Sequence, residues 1–92
     1  RVQLIGVAYK PNVADVRETP AEQIVEALHK EGAVITWHDP LVSSWNGQES
    51  TDLGSDIAIV ITLHDAFNQQ AVLSSAKYVL DTSGKLIGAI QL

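Results

Sequence analysis

Lys10 and Arg17 stand seven residues apart in the stretch Gly6-Val7-Ala8-Tyr9-Lys10-Pro11-Asn12-Val13-Ala14-Asp15-Val16-Arg17-Glu18-Thr19-Pro20. A lysine offers a compact ammonium, and an arginine a planar fork that grips phosphate or carboxylate with two parallel bonds. Together they suit two anionic groups. Pro11 restrains the backbone next to Lys10, which helps to aim it. A helix beginning near Pro20 would add a partial positive charge close by. The plainer reading is a solvated loop in which both cations pair with Asp15 or Glu18. Composition alone favours that reading, because exposed ion pairs are common and weak.

Other candidates carry less. Asp39 ends a strand, where an acid can hold a ribose in a dinucleotide-binding unit. Here Pro40 follows and the glycine signature G-x-G-x-x-G is absent, so an Asp-Pro turn is the expected role. His29, His38 and His64 match no zinc spacing, so no metal site is expected. His64-Asp65 reads as a helix cap, and Trp37 and Trp45 as packing residues. No nucleophile elbow or P-loop is present.

The elements that must position these residues follow from the apolar runs. Val2–Ala8 is a continuous run of strand length, as expected of a strand buried on both faces of a parallel sheet. Thr19 as N-cap, Pro20 at N1 and Glu22 at N3 make a capping box. Ile24, Val25, Ala27 and Leu28 form the apolar stripe of the helix, Lys30 lies in its last turn, and Gly32 suits its C-terminal stop. Ala33–Trp37 gives a second strand, completing a right-handed βαβ unit. Residues 43–55 read as loop with a possible helical turn near Thr51–Gly54. Ile57–Thr62 is a third strand, Ala66–Leu73 a helix capped by His64-Asp65, and Tyr78–Leu80 a fourth strand. Residues 85–92 read either as a last short strand or as a tail. The alternation predicts an α/β fold: a three-layer Rossmann-like open parallel sheet of about five strands with helices on both faces. Such sheets bind ligands outside the carboxyl ends of their strands. That directs attention to residues 9–18, 38–39, 62–65 and 81–84.

Composition sets the outer limits. Ninety-two residues with 46% hydrophobic content suit a single domain with one core. The formal charge of −5 opposes general binding to nucleic acid or anionic membrane. Without cysteine there is no disulfide, thiolate metal site or cysteine nucleophile in this chain. The apolar runs are too short to span a bilayer. The chain opens directly in a strand, so residues 1–92 are expected to be a piece of a longer enzyme.

The stretch from Gly6 to Ala21 resembles the first loop of the C-terminal, UDP-binding domain of the UDP-glucose/GDP-mannose dehydrogenase family, whose pattern runs G-[LVF]-[AS]-[FY]-K-x(2)-[TV]-x-D-x-R-x-[ST]-P. The later order agrees: a helix, Gly32-Ala33-Val34-Ile35 in the place of Gly-Ala-x-Val, a strand ending Asp39-Pro40, a strand followed by His64, and a strand ending Asp81-Thr82. The resemblance covers essentially the whole chain. It implies a nucleotide-sugar-binding domain of an NAD-dependent dehydrogenase that oxidises C6 of a UDP-hexose or UDP-N-acetylhexosamine to a uronate. The NAD-binding domain and the catalytic cysteine then belong to other parts of the enzyme, and the isolated chain is expected to be inactive. By resemblance, Tyr9 and Lys10 contact the UDP-sugar, with Lys10 near the reacting centre, and Arg17 reaches the NAD side. Ala14 replaces a second acid of many relatives. Ser83 lies near where many carry an arginine, so that contact stands only if Lys85 supplies it. The wording Gly-Val-Ala-Tyr-Lys-Pro-Asn-Val and Trp37-His38-Asp39-Pro40 leans toward members acting on UDP-N-acetylhexosamines. Expected partners are the UDP-sugar and the remainder of a homodimeric or larger enzyme in the cytoplasm. The alternatives are a UDP-glucose 6-dehydrogenase domain and a non-catalytic nucleotide-binding module of the same fold.

Overall fold

Residues 1–91 are described by a computed structural model. In chain order the elements are β1 (Val2–Ile5), α1 (Ala21–Lys30), β2 (Ile35–His38), β3 (Ser44–Trp45), β4 (Gln48–Glu49), β5 (Ile57–Val60), α2 (Gln69–Leu73), β6 (Tyr78–Asp81) and β7 (Ile90–Gln91). The main sheet has the order β2-β1-β5-β6-β7, and every pairing in it is parallel. From β1 the chain crosses to β2 on one side, then from β2 to β5 on the other. The order therefore reverses between β1 and β5, and their carboxyl ends form the topological switch point.

β1 is buried along its whole length, as its composition requires. Its one polar residue, Gln3, is fully buried and fully engaged. Gln3 Nε2 donates to Thr51 Oγ1 at 3.0 Å and to the Asp52 carbonyl at 2.8 Å, while its Oε1 accepts from Gly54 N–H at 3.1 Å. The amide thus ties the β4–β5 connection to the sheet. β1 stops at Gly6, whose φ of +78° turns the chain out of the strand.

The two faces carry separate cores. On one, Leu4, Val7, Ala8 and Trp37 pack with Ala21 and Val25 of α1 and with Trp45. On the other, Ile5, Ala58, Val60 and Val79 pack with Phe67, Leu86 and Val72 of α2. Fully burying one side chain of this size stabilises a fold by about 1.5–3 kcal/mol. The predicted layering holds.

Several local expectations change. α1 is bounded at Ala21, but Pro20 already has helical dihedrals (φ −65°, ψ −15°), as a first helical position requires. The buried Thr19 caps it as expected, its hydroxyl accepting from Ala21 N–H at 3.3 Å. Glu22 is exposed and completes no capping box. Ala27 faces outward, so the buried stripe is Ala21 and Val25 flanked by the half-buried Ile24 and Leu28. The predicted stop holds: Gly32 has φ +79°, and its N–H donates to the His29 carbonyl at 3.0 Å while Ala33 N–H donates to Leu28 at 3.1 Å.

Residues 44–49 form a β-hairpin where a loop was expected. Asn46 and Gly47 have φ of +55° and +77°, the two positive values a tight two-residue turn requires. The hairpin lays Trp45 edge-on against Trp37, with ring centroids 5.9 Å apart and planes at 85°. No helical turn forms at Thr51–Gly54. α2 covers only Gln69–Leu73 and is capped by Asn68, whose Oδ1 accepts from Ala71 N–H at 3.1 Å. His64-Asp65 does not cap it. Residues 90–91 add a fifth parallel strand; Leu92 lies outside the described residues.

Candidate functional site

At the switch point the crevice between β1 and β5 is closed. A Cβ on Gly6 would lie 1.8 Å from the Thr62 carbonyl oxygen, so the two backbones touch there. Thr62 Oγ1 donates to the Ala8 carbonyl at 2.7 Å, and Ile61 N–H to the Ile5 carbonyl at 2.9 Å. A ligand cannot enter between these strands and must lie over the loops that follow them. The loop also lacks the glycine signature G-x-G-x-x-G of a backbone pyrophosphate cradle.

Over those loops lies an open cleft of about 250 Å³ lined by Tyr9, Lys10, Pro11, Pro20, Ile61, Thr62, Leu63, Ser83 and Lys85. Two lysines face it and no carboxylate does, in a chain of net charge −5. That local reversal of charge suits an anion. Tyr9 is 53% exposed and offers a flat apolar face with a phenol at its tip.

Tyr9 also borders a second concavity, of about 370 Å³, with Asp15, Arg17 and Glu18. Here Arg17 makes a two-point bond with Asp15, Nε to Oδ1 at 3.0 Å and Nη2 to Oδ2 at 2.7 Å, and Asp15 Oδ1 also accepts the Arg17 backbone N–H at 2.9 Å. The guanidinium and its backbone N–H hold the Asp15 carboxyl down at about 2. The plain ion-pair expectation for Arg17 is thus met in this state. Its side chain is nevertheless 86% exposed, with donors left over for a second anion. Lys10 and Arg17 therefore face different concavities that share Tyr9 as a wall.

The loop is held from beneath by groups that sequence reading assigned elsewhere. Asp39, 2% exposed, makes the expected turn, its Oδ1 accepting from Leu41 N–H at 2.9 Å. Its Oδ2 accepts from Val7 N–H at 2.9 Å and lies 3.0 Å from His64 Nε2. His64 Nδ1 in turn accepts from Asn12 N–H at 2.7 Å. The Asn12 side chain joins Asp65, accepting its N–H at 2.8 Å and donating to Oδ2 at 3.1 Å. His64 is therefore a buried strut between the ends of β2 and β5 and the Lys10 loop. His29 is exposed on α1, and His38 Nδ1 lies 2.6 Å from the Thr51 carbonyl. Among the described residues no three metal-binding side chains gather.

The other wall of the cleft is built by Asp81, which is fully buried. Its Oδ1 accepts from the Ser83 hydroxyl at 2.6 Å and from Ser83 N–H at 2.8 Å, and its Oδ2 from Leu86 N–H at 2.8 Å. Burial pushes this carboxyl up, but these bonds outweigh it and hold it below the ordinary range. The turn so formed carries Lys85, which lines the same cleft as Lys10.

The UDP-glucose/GDP-mannose dehydrogenase family, UDP binding domain, matches residues 3–87 of this chain. The UDP-N-acetyl-D-mannosamine dehydrogenase of Methanococcus maripaludis is 35% identical over 71 residues, 73% of this chain and 17% of that protein. The UDP-glucose 6-dehydrogenase of Rhizobium meliloti is 40% identical over 40 residues, 44% of this chain and 9% of that protein. Among solved structures, the UDP-N-acetyl-mannosamine dehydrogenase Cap5O from Staphylococcus aureus superposes on 100% of this chain with a TM-score of 0.71 at 22% identity, a likeness of fold. The chain covers 24% of that structure. It thus spans only a fraction of each relative's length. The chain belongs to the UDP-glucose/GDP-mannose dehydrogenase family.

Proposed function

We propose that residues 1–92 are the nucleotide-sugar-binding domain of a longer, NAD-dependent UDP-sugar 6-dehydrogenase that works in the cytoplasm. The observation that carries this is the two-lysine cleft over the switch point, built on the loop that bears the family pattern. A nucleoside diphosphate sugar brings clustered negative charge, which Lys10 and Lys85 in the same cleft can meet. Tyr9 supplies a flat surface beside them. Lys10 is assigned to the end of the ligand where charge develops during oxidation at C6, where a fixed ammonium stabilises the transition state more than the ground state. NAD would be the hydride acceptor in the parent enzyme. The sealed crevice and the absence of a glycine-rich cradle fit its being held by another domain. Arg17, in the concavity beyond Tyr9, has an exposed guanidinium able to meet an anionic group from that direction.

The more extensive relatives carry the name UDP-N-acetyl-D-mannosamine dehydrogenase. That supports a UDP-N-acetylhexosamine as substrate. The test is made on the parent enzyme with UDP-N-acetylmannosamine, UDP-N-acetylglucosamine and UDP-glucose, each with NAD. Lys10→Ala is expected to lower kcat about 100-fold or more, the usual loss when one preorganised charge partner is removed from the reacting centre. Unchanged turnover and unchanged UDP-sugar affinity would remove Lys10 from the site.

A further inference from the structure

The position of Lys10 depends on one buried imidazole. The Asn12 N–H can only donate, so the His64 Nδ1 that receives it at 2.7 Å bears no proton. The single ring proton is then on Nε2, 3.0 Å from Asp39 Oδ2. Asp39 cannot move to suit another tautomer, because Val7 N–H and Leu41 N–H hold its two oxygens. The ring itself is fixed by burial and by Phe67, stacked on it at 5.7 Å with planes 8° apart. Asn12 has φ +66°, so the turn between Lys10 and His64 is a tight left-handed one with little slack.

The geometry points to His64 as a positioning residue for the Lys10 ammonium: held in one neutral tautomer by Asp39, it fixes Asn12 and through it Lys10. His64 is buried and is not among the residues lining the cleft. Its effect on the reaction passes through Lys10, so the inference rests on the functional reading of Lys10 given above. The chain of bonds runs from the end of β2, across the exit of β1, to the loop after β5. Any change in the order of those strands would break it.

The two bonds of the ring can be separated. In His64→Gln the amide can still donate toward Asp39 but leaves Asn12 N–H without an acceptor. In His64→Asn the shorter side chain places an oxygen near the old Nδ1 and restores that acceptor. The parent enzyme is assayed as wild type, His64→Gln, His64→Asn, Lys10→Ala and Lys10→Ala/His64→Gln, with UDP-N-acetylmannosamine and NAD. His64→Gln is expected to lower kcat/KM about 10-fold in the wild-type background and less than about 2-fold in the Lys10→Ala background, because the residues act as one unit. His64→Asn is expected to recover most of the loss. An equal loss in both backgrounds, or no rescue by asparagine, overturns the positioning role. A harmless Lys10→Ala overturns the functional reading itself, which is a different result. Should His64→Gln fail to fold, the wild-type enzyme carries the test: long-range 1H–15N spectra of the histidine-labelled parent enzyme should show the His64 ring with Nδ1 bare and Nε2 protonated, and the opposite tautomer or a doubly protonated ring refutes the inference.

Discussion

Gly6 and Gly32 have nearly the same backbone, φ +78° and +79°, but different surroundings. A Cβ on Gly32 meets nothing within 4 Å, whereas one on Gly6 lies 1.8 Å from the Thr62 carbonyl oxygen and 2.8 Å from its carbon. Alanine at Gly32 therefore loses only the conformational term, about 1–2 kcal/mol for a side chain in the left-handed region. Alanine at Gly6 loses the same and must also drive the Thr62 backbone away from 1.8 Å to at least 3.0 Å. That movement pulls on Thr62 Oγ1–Ala8 and Ile61 N–Ile5, at about 1 kcal/mol per bond. It also overpacks the junction, at about 1–3 kcal/mol more. The sum for Gly6→Ala is about 4–7 kcal/mol, against a total of about 5–14 kcal/mol expected of a domain of this size. Urea unfolding followed by Trp37 and Trp45 fluorescence reads both. Gly32→Ala should keep a clear folded baseline, with its midpoint lowered by about 1–2 M. Gly6→Ala should be lost from the folded baseline or lie at least about 3 kcal/mol below Gly32→Ala. Equal destabilisation of the two would show that β1 and β5 do not close on each other, and would reopen the crevice as a ligand site.

Two further outcomes follow from the charged groups. Arg17→Ala in the parent enzyme should raise KM for NAD about 10-fold, the value of one charge-assisted contact, while KM for the UDP-sugar stays within about 3-fold; the reverse pattern would place Arg17 on the sugar side. Because hydrogen bonds depress the Asp81 carboxyl, its stabilisation is present above the ordinary value of 3.8 and is lost as pH falls through the lower folded value. Asp81→Asn should thus be less stable than wild type at pH 7 and flatter in an acid titration of unfolding free energy, and parallel acid limbs would refute the assignment.

Much of this fold is legible locally because β1 is buried on both faces and β5 and β6 are mostly apolar along their length. Val2–Ile5, Ile57–Val60 and Tyr78–Asp81 stand out as apolar runs, and α1 ends at Gly32 as its sequence says. The β3–β4 hairpin carried its own signal, Asn46-Gly47, but its strands are too short to show alternation. The Thr19-Pro20 start of α1 was legible as well, since Pro20 takes helical dihedrals and the Thr19 hydroxyl accepts from Ala21 N–H. The cations were legible as a loop signal, though charge spacing did not separate ligand contacts from ion pairs. Arg17 makes its ion pair and remains exposed, so the ion-pair reading describes it and the ligand contact stays a proposal. The coupling of Asp39 to His64, 25 residues away, was not legible. It depends on which strands become neighbours, and local pattern leaves strand order open.

That coupling explains why so long a loop follows β1. With the crevice sealed by Gly6 and Thr62, a ligand must be held above the sheet by side chains, and side chains on a loop need independent support. Each lysine of the cleft has such a support, and each support is a buried carboxylate at the end of a strand. Asp39, after β2, holds the Lys10 loop through Val7, His64 and Asn12. Asp81, ending β6, holds the Lys85 turn through Ser83 and Leu86. The carboxylates accept hydrogen bonds from the protein beneath the cleft and do not line it, so they do not cancel the lysines by direct pairing. The two acids are engaged by backbone and imidazole N–H groups and a serine hydroxyl, which leaves the lining of the cleft with two lysines and no carboxylate.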